Sequence, residues 1–291
     1  MSDEKKNIDK RDSLKVITSN EFILARELSS MSLKARKLLY ITIAQCRKGD
    51  TGFFEYSITI PEFAEMMGIA ATNVYQEAFS ITKELAGASI TILPKGGKRF
   101  EHYPLTARCR YDEASCIIIQ LNPAMTDLLL NLRGSFTQPL LHDFVKMRSP
   151  YSMALWHLMQ KEMHSRKPGP EDCIEFEISL QELREVTGTQ GKLRQIGEFK
   201  SRVLDKALRE IRDNCGVTIT YENIKESRTI KGFLFKAVSK YHINQTKIKP
   251  ETIAKADAFE QKRIREMTDL EKAEYDRLTE GAEQLSLDDY F

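Results

Sequence analysis

Ile174-Glu175-Phe176-Glu177-Ile178, running directly into Ser179-Leu180-Gln181-Glu182-Leu183-Arg184-Glu185-Val186-Thr187-Gly188, is the stretch that decides how this chain folds. Alternating apolar and acidic residues over 174–178 predict a strand with one buried face. Ser179 with Glu182 three residues on has the form of a capping box, so a short helix begins there, and Gly188 stops it. A polar turn (Thr189, Gln190, Gly191, Lys192) leads through Arg194 into a longer helix over about 195–214. Phe199, Val203, Ala207 and Ile211 recur along its inner side, widened by Leu204 and Leu208, while Gln195, Arg202, Lys206 and Arg209 face outward. After Gly216, Val217–Tyr221 and Ile230–Val238 read as the strands of a hairpin whose loop holds Lys225, Arg228 and Lys231. Strand, helix, turn, basic helix and basic hairpin in this order describe a helix-turn-helix with a wing. Such a unit places its second helix in a DNA major groove and its hairpin on the flanking backbone.

The stretch has a counterpart upstream. Phe54 to Gly68 aligns without a gap on Ile174 to Gly188: Tyr56 meets Phe176, Ile58 meets Ile178, Ile60 meets Leu180, Glu62 meets Glu182, Phe63 meets Leu183, and the two glycines coincide. Leu39-Tyr40 lies opposite Leu155-Trp156 at nearly the same offset. Pattern, order and stop signal agree, so the chain reads as two copies of one unit. The expected fold is α+β: two tandem winged-helix domains, residues 14–148 and 149–243, between a disordered start (1–13) and a charged, partly helical tail (244–291). The first copy continues with a helix from Asn73, capped by that residue with Gln76 reaching back, to Ala86. Its strands are expected at 90–93, 103–111 and 116–121, with the basic run Pro94 to Arg99 as wing tip, and helical connectors at 125–132 and 140–147.

With 291 residues the chain can build a core for each domain, and 30% charged against 41% hydrophobic residues is a soluble, globular balance. No apolar run is long enough to span a bilayer, and Met1 to Lys6 is no signal peptide, so a bacterial cytoplasm without a membrane partner is the expected setting. Five scattered cysteines suit reducing conditions better than disulfides or zinc. The net charge of +2 conceals an asymmetry. Eight Lys/Arg against twelve Asp/Glu give residues 244–291 a charge of −4, which leaves +6 on the rest. A basic body is compatible with nucleic-acid binding without demanding it.

Charge on one surface helix is most often merely solvated. Lys192, Arg194, Gln195, Lys200, Arg202, Lys206 and Arg209, followed by Lys225, Arg228 and Lys231 on the wing, favour DNA contact because helix-turn-helix geometry turns both elements toward one duplex. Lys200 falls within the apolar arc by angle, but in the first turn a long side chain can escape toward DNA. The first copy differs: its second helix offers Lys83 beside Glu77 and Glu84, a surface that repels phosphate. DNA contact there would come from Lys95, Lys98 and Arg99, with Arg108 and Arg110, and would supply backbone affinity rather than base reading. Its apolar helix and strands could equally form a dimer face. Enzymatic chemistry has little support, and neither a cofactor nor a metal is expected. Gly96-Gly97-Lys98 lacks the spacing of a phosphate loop. The histidines form no metal-binding pair, and His157 and His164 read as surface or boundary residues.

Four stretches carry a resemblance: Leu33 to Gln45 with Lys37-Leu38-Leu39-Tyr40; Ile58 to Gly68; Ser149 to Trp156; and Glu198-Phe199-Lys200-Ser201-Arg202-Val203-Leu204-Asp205-Lys206-Ala207-Leu208-Arg209-Glu210-Ile211. Over Leu14 to Ile243 the chain resembles the iteron-binding replication initiators of theta-replicating bacterial plasmids, which carry tandem winged helices. Ser227-Arg228 stands where that family usually has Gly-Arg. The resemblance implies monomers that bind repeated double-stranded origin sequences, open the adjacent duplex and recruit host helicase, initiator and polymerase factors. It also implies homodimers, formed through the first domain in equilibrium with monomers, that repress the protein's own promoter or pair origins. Lys200 and Arg202 become the leading base or phosphate contacts. At the other end, Gln284-Leu285-Ser286-Leu287 is similar to the peptide that holds bacterial replication proteins on the sliding clamp, although Asp288 stands where Phe is expected. A solvated end with incidental leucines is the alternative there. Two rival functions remain: a plain winged-helix transcriptional regulator, and a strand-nicking replication enzyme.

Overall fold

The structure, a computed structural model, describes residues 14–47, 50–69, 73–92, 100–112, 116–132, 136–166 and 173–239. The first domain is entered through β1 (Thr18–Ser19). Ser32 then starts α1 (Leu33–Ile43) by accepting a hydrogen bond from the Ala35 amide at 3.2 Å. Ala35 to Ile43 are all buried, so α1 is a central helix and not an amphipathic surface one. β2 (Glu55–Thr59) alternates exposed and buried residues, and Thr59 opens α2 (Ile60–Met67) with a complete capping box on Glu62. Gly68 closes α2 in the left-handed conformation, at φ 64°.

α3 (Val74–Ala86) buries the expected stripe of Val74, Ala78, Ile81 and Leu85. Its cap departs from expectation: the Asn73 side chain makes no capping bond. A side-chain cap needs an extended residue before the helix, and Asn73 already has helix-like torsions (φ −109°, ψ 0°). β3 (Ser89–Ile92) and β4 (Glu101–Pro104) pair with each other, whereas β5 (Thr106–Asp112) and β6 (Cys116–Leu121) join β2 in a sheet ordered β2-β6-β5. The single strand expected over 103–111 therefore breaks at Leu105. Pro104 has no amide hydrogen for a ladder. Leu105, fully buried, donates to the Ala88 carbonyl and accepts from the Asn122 amide, which carries the chain from one sheet to the other. The basic run 94–99 thus joins β3 to β4, while the hairpin in the wing position is β5–β6. Lys95, Lys98 and Arg99 lie outside the described residues.

β7 (Phe136–Thr137) pairs back onto β1. The expected connectors are a 3-10 turn, Pro123–Met125, with a short helix, Thr126–Leu129, and then α4 (Leu141–Lys146). α5 (Pro150–His164), capped by Ser149, opens the second domain and buries nine residues, among them Leu155, Trp156 and His157. β8 (Cys173–Ser179), α6 (Leu180–Val186) and the hairpin of β9 (Val217–Glu226) and β10 (Thr229–Ser239) repeat the first domain's plan, with sheet order β8-β10-β9. Only half of the expected capping box forms at α6. Ser179 Oγ accepts from the Glu182 amide at 3.0 Å, but the Glu182 carboxylate lies 3.4 Å from Lys161 Nζ. An ammonium within reach outcompetes a backbone amide for that carboxylate.

Between α6 and β9 lies α7, which runs as Ile196–Phe199, a π-helical turn Lys200–Leu204, and Asp205–Cys215. A strict four-residue repeat of apolar side chains drifts by about 40° per step on a 3.6-residue helix. The wider turn, in which the Asp205 amide bonds to the Lys200 carbonyl, takes up part of that drift, and Phe199, Val203, Ala207 and Ile211 are all buried.

One apolar cluster runs through both domains. His157 sits on the seam. Against the expectation of a surface or boundary residue it is only 2% exposed. Its Nδ1 is hydrogen-bonded to Tyr40 Oη at 2.9 Å and its Nε2 to Thr18 Oγ1 at 3.1 Å. Burial, with Arg36 nearby, pushes its pKa down to about 3, so the ring is neutral. Both nitrogens find partners, which is what a buried imidazole requires. His164 is exposed, as expected.

Candidate nucleic-acid interface

The turn between α6 and α7 is built around Arg184. Its guanidinium donates from Nη1 to the Lys192 carbonyl at 2.8 Å and the Thr189 carbonyl at 3.3 Å, and from Nη2 to the Leu193 carbonyl at 2.9 Å. The same group lies over the Phe199 ring, 4.8 Å from its centre. The planar fork gathers carbonyls that would otherwise repel one another, and it secures Leu193 in a left-handed conformation (φ 47°). Lys192, Arg194 and Gln195 are thereby held exposed at the entrance to α7. In the sequence Arg184 is one residue of a short helix and nothing more. An arginine two turns before a Gly-containing loop is too common a pattern to single out.

α7 presents a sharp division between its two faces. Val203, Leu204, Ala207 and Leu208 are buried, whereas Ser201, Arg202, Asp205, Lys206 and Arg209 are exposed. Arg202 is 64% exposed and forms an i,i+4 ion pair with Glu198, Nη1 to Oε1 3.1 Å. Arg209 folds back along the helix, donating from Nε to the Asp205 carbonyl. Lys200 leaves the apolar arc as expected, although sideways toward β9. Its Nζ lies 3.3 Å from Asn223 Oδ1 and 5.2 Å from the centre of the Tyr221 ring.

A second tie runs from Tyr221 Oη, which donates to Asp205 Oδ1 at 2.7 Å. Burial and the Asp205 carboxylate push the tyrosine's pKa well above its usual range. These two contacts fasten the wing strand to the helix, so cations on both elements belong to one assembly. At the wing tip Lys225 and Arg228 are exposed, and Lys231 pairs with Glu226 at 3.2 Å. Ser227 there takes a positive φ of 56°, the conformation that glycine would accept most easily. A two-residue turn of this kind suits the twist of a hairpin. Lys192, Arg194, Lys206, Lys225 and Arg228 form no side-chain ion pair among the described residues.

The equivalent face of the first domain has different chemistry. The surface of α3 shows Tyr75 and Phe79, the latter 67% exposed, and the Tyr75 ring meets Tyr111 of β5 edge-on, 4.9 Å between centres. Together with Ala78, Thr82 and Cys109 they line a cleft of about 300 Å³. Glu77 and Glu84 do not simply face outward to repel phosphate, as the sequence suggests. Glu77 pairs with Lys34 at 2.8 Å, and Glu84 accepts from the Ser32 amide and hydroxyl, capping α1. Arg110 pairs with Glu55, while Arg108 is exposed. No group of three His, Cys, Asp or Glu is placed to hold a metal among the described residues. Among them, too, no helix is long and apolar enough to cross a membrane.

Two family models match the chain: the first winged helix (WH1) of the initiator replication proteins over residues 15–160, and the second (WH2) of the initiator Rep proteins over 179–237. Together they span well over half of the sequence. The chain belongs to the replication initiator protein family. Among solved structures, the initiator is similar to the crystal structure of the Pi initiator protein in complex with iteron DNA. The TM-score is 0.65 at 21% identity, over 79% of this chain and 98% of the other. The likeness shows a shared fold over nearly the whole of the Pi chain. Gln284, Leu285, Ser286 and Leu287 lie outside the described residues.

Proposed function

We propose that this initiator binds repeated sequences, iterons, in the double-stranded origin of a bacterial plasmid, in the cytoplasm. In this reading α7 enters the major groove, with Arg202 and Lys206 at the bases. Lys192, Arg194, Lys225, Arg228 and Lys231 hold phosphates on either side, and Gln195, Lys200 and Arg209 complete the contact. The observation that carries it is the coupling of an exposed cationic helix to an exposed cationic wing through Lys200–Asn223 and Asp205–Tyr221. Base contacts specify and phosphate contacts position, and both kinds of donor stand on this one assembly. The Pi protein's complex with iteron DNA supports the same choice of ligand.

The first domain takes part through self-association. Its exposed Tyr75, Phe79 and Tyr111 are the chemistry of a protein contact rather than a phosphate contact, and Lys95, Lys98 and Arg99 add backbone affinity. Bound monomers open the adjacent duplex and recruit host helicase and initiator proteins, while dimers repress the promoter. Residues 284–287 engage the sliding clamp. A chain without enzymatic activity suffices for these steps.

The decisive experiment supplies the protein in trans to a plasmid carrying only its origin and footprints purified protein over that origin. Replication with periodic protection is the expected result. Protection without replication would instead favour a plain transcriptional regulator, and metal-dependent nicking of supercoiled origin DNA would favour a nickase. A Leu285→Ala/Leu287→Ala variant that binds the clamp as well as the parent chain would remove the tail from the scheme.

A further inference from the structure

Two carboxylates form ion pairs with cations where a polyanion is to bind. Glu198, in the first turn of α7, holds Arg202 at 3.1 Å, and Glu226, at the end of β9, holds Lys231 at 3.2 Å. Neither pair is buried: the side chains of Arg202, Lys231 and Glu226 are more than half exposed. Exposed ion pairs contribute little to stability. On a surface that meets phosphates, each carboxylate also lowers affinity for every DNA sequence alike. A fold that needed only tight binding would not place acids against two of the cations on this face.

We propose that Glu198 and Glu226 are specificity-determining residues: they hold Arg202 and Lys231 in internal ion pairs that non-specific phosphates do not break, and that the base pattern of a correct site does. The inference rests on the functional reading above. Specificity is a difference of affinities, and it rises when the wrong partner is penalised more than the right one. On random DNA, Arg202 has only a phosphate to exchange for Glu198, one anion for another. On the correct sequence its fork gains a bidentate base contact, which makes the exchange favourable. At the wing, Lys231 stays with Glu226 until docking of α7 brings a phosphate within reach. Charge cancellation within each pair also removes two cations from the long-range attraction to any duplex.

The test compares the full-length wild-type chain with Glu198→Gln, Glu226→Gln and the double variant, by fluorescence anisotropy on a duplex carrying the native origin repeat and on a scrambled duplex of equal length, over a range of salt concentrations. The double variant should bind the scrambled duplex about tenfold more tightly and the repeat less than about threefold more tightly, so that discrimination falls. Its log–log salt slope on scrambled DNA should steepen by about one to two. A purely structural role for the glutamates would not move that slope. Equal gains on both duplexes, or no change on either, would overturn the inference. So would loss of repeat affinity in Glu198→Gln, because that result would make the carboxylate a base reader, for example of a cytosine amino group. A wild-type chain that fails to discriminate overturns the functional reading and this inference with it, whereas a discriminating wild type with unchanged variants overturns this inference alone.

Discussion

Replacing Arg184 by alanine removes the group that organises the helix-turn-helix turn. Two of its hydrogen bonds, at 2.8 and 2.9 Å, are short, charge-assisted contacts to the Lys192 and Leu193 carbonyls. Bonds to charged groups contribute about 1.5–3 kcal/mol each when desolvated, and the half-exposed site brings that toward the lower end. The contact with the Phe199 ring adds about 0.5–1 kcal/mol. Arg184→Ala should therefore destabilise the second domain by roughly 2–4 kcal/mol. Because both domains share one apolar cluster, the unit that melts is the two-domain body, and its midpoint should fall by about 4–16 °C, which calorimetry or circular dichroism would record. Leu193 would relax from its left-handed conformation, and Lys192 and Arg194 would lose their places. Affinity for the origin repeat should accordingly fall further than affinity for scrambled DNA. Arg184→Lys keeps the charge but not the fork, so it should recover less than half of either loss. A variant that melted within about 1 °C of wild type and bound the repeat unchanged would refute the reasoning.

Arg202→Ala should cost about 1–3 kcal/mol on the repeat if it reads a base, measured as the ratio of repeat to scrambled affinity; an even loss on both duplexes would place it on phosphate instead. Removing Lys225 and Arg228 together should weaken binding to all duplexes and lower the salt slope by about two, and an unchanged slope would exclude them from the interface. Gly188→Ala forces a side chain onto φ 65° and sets its Cβ 2.7 Å from Ser29 Oγ, so unfolding should be easier by about 2–4 kcal/mol, and Ser29→Gly should recover the steric part only; full recovery would show that the torsion costs nothing. Acid acts on two buried groups with opposite signs. His157, with its pKa depressed to about 3, loses stability as pH falls from about 6.5, because the unfolded imidazole takes the proton. Asp143, raised to about 6 by burial, gains stability over the same fall, because the folded carboxyl takes it. From about pH 7 to about pH 5 the histidine costs about 2 kcal/mol and the aspartate offsets about 1, so Asp143→Asn should double or treble the acid loss in urea titrations. A pH profile parallel to that of wild type would disprove the opposition.

Local signals carried a large share of this architecture. The duplication was legible because the strand, the cap and the left-handed glycine are each set by neighbours within a few residues. Thr59 and Ser179 cap, and Gly68 and Gly188 turn, wherever the rest of the chain lies. The two faces of α7 were likewise legible, because helical periodicity sorts apolar from charged residues without help from distant contacts.

What the sequence could not disclose depends on residues far apart in the chain. His157 became a buried, neutral partner of Tyr40 and Thr18 only because α1 and α5 share a core, a contact across more than a hundred residues. Glu84 was spent capping α1 and Glu182 pairing with Lys161, where the local pattern suggested a solvated acid and a reciprocal cap. Leu105 changed sheets because a carbonyl at Ala88 and an amide at Asn122 were waiting on either side. Arg184 acquired its role from a ring of carbonyls that exists only after the turn has closed. Charge and periodicity are properties of short segments, so the sequence alone determined the repeated fold and its cationic face. A polar group's partner is a property of three-dimensional proximity, and tertiary structure alone decided which charges are committed within the protein and which stand exposed.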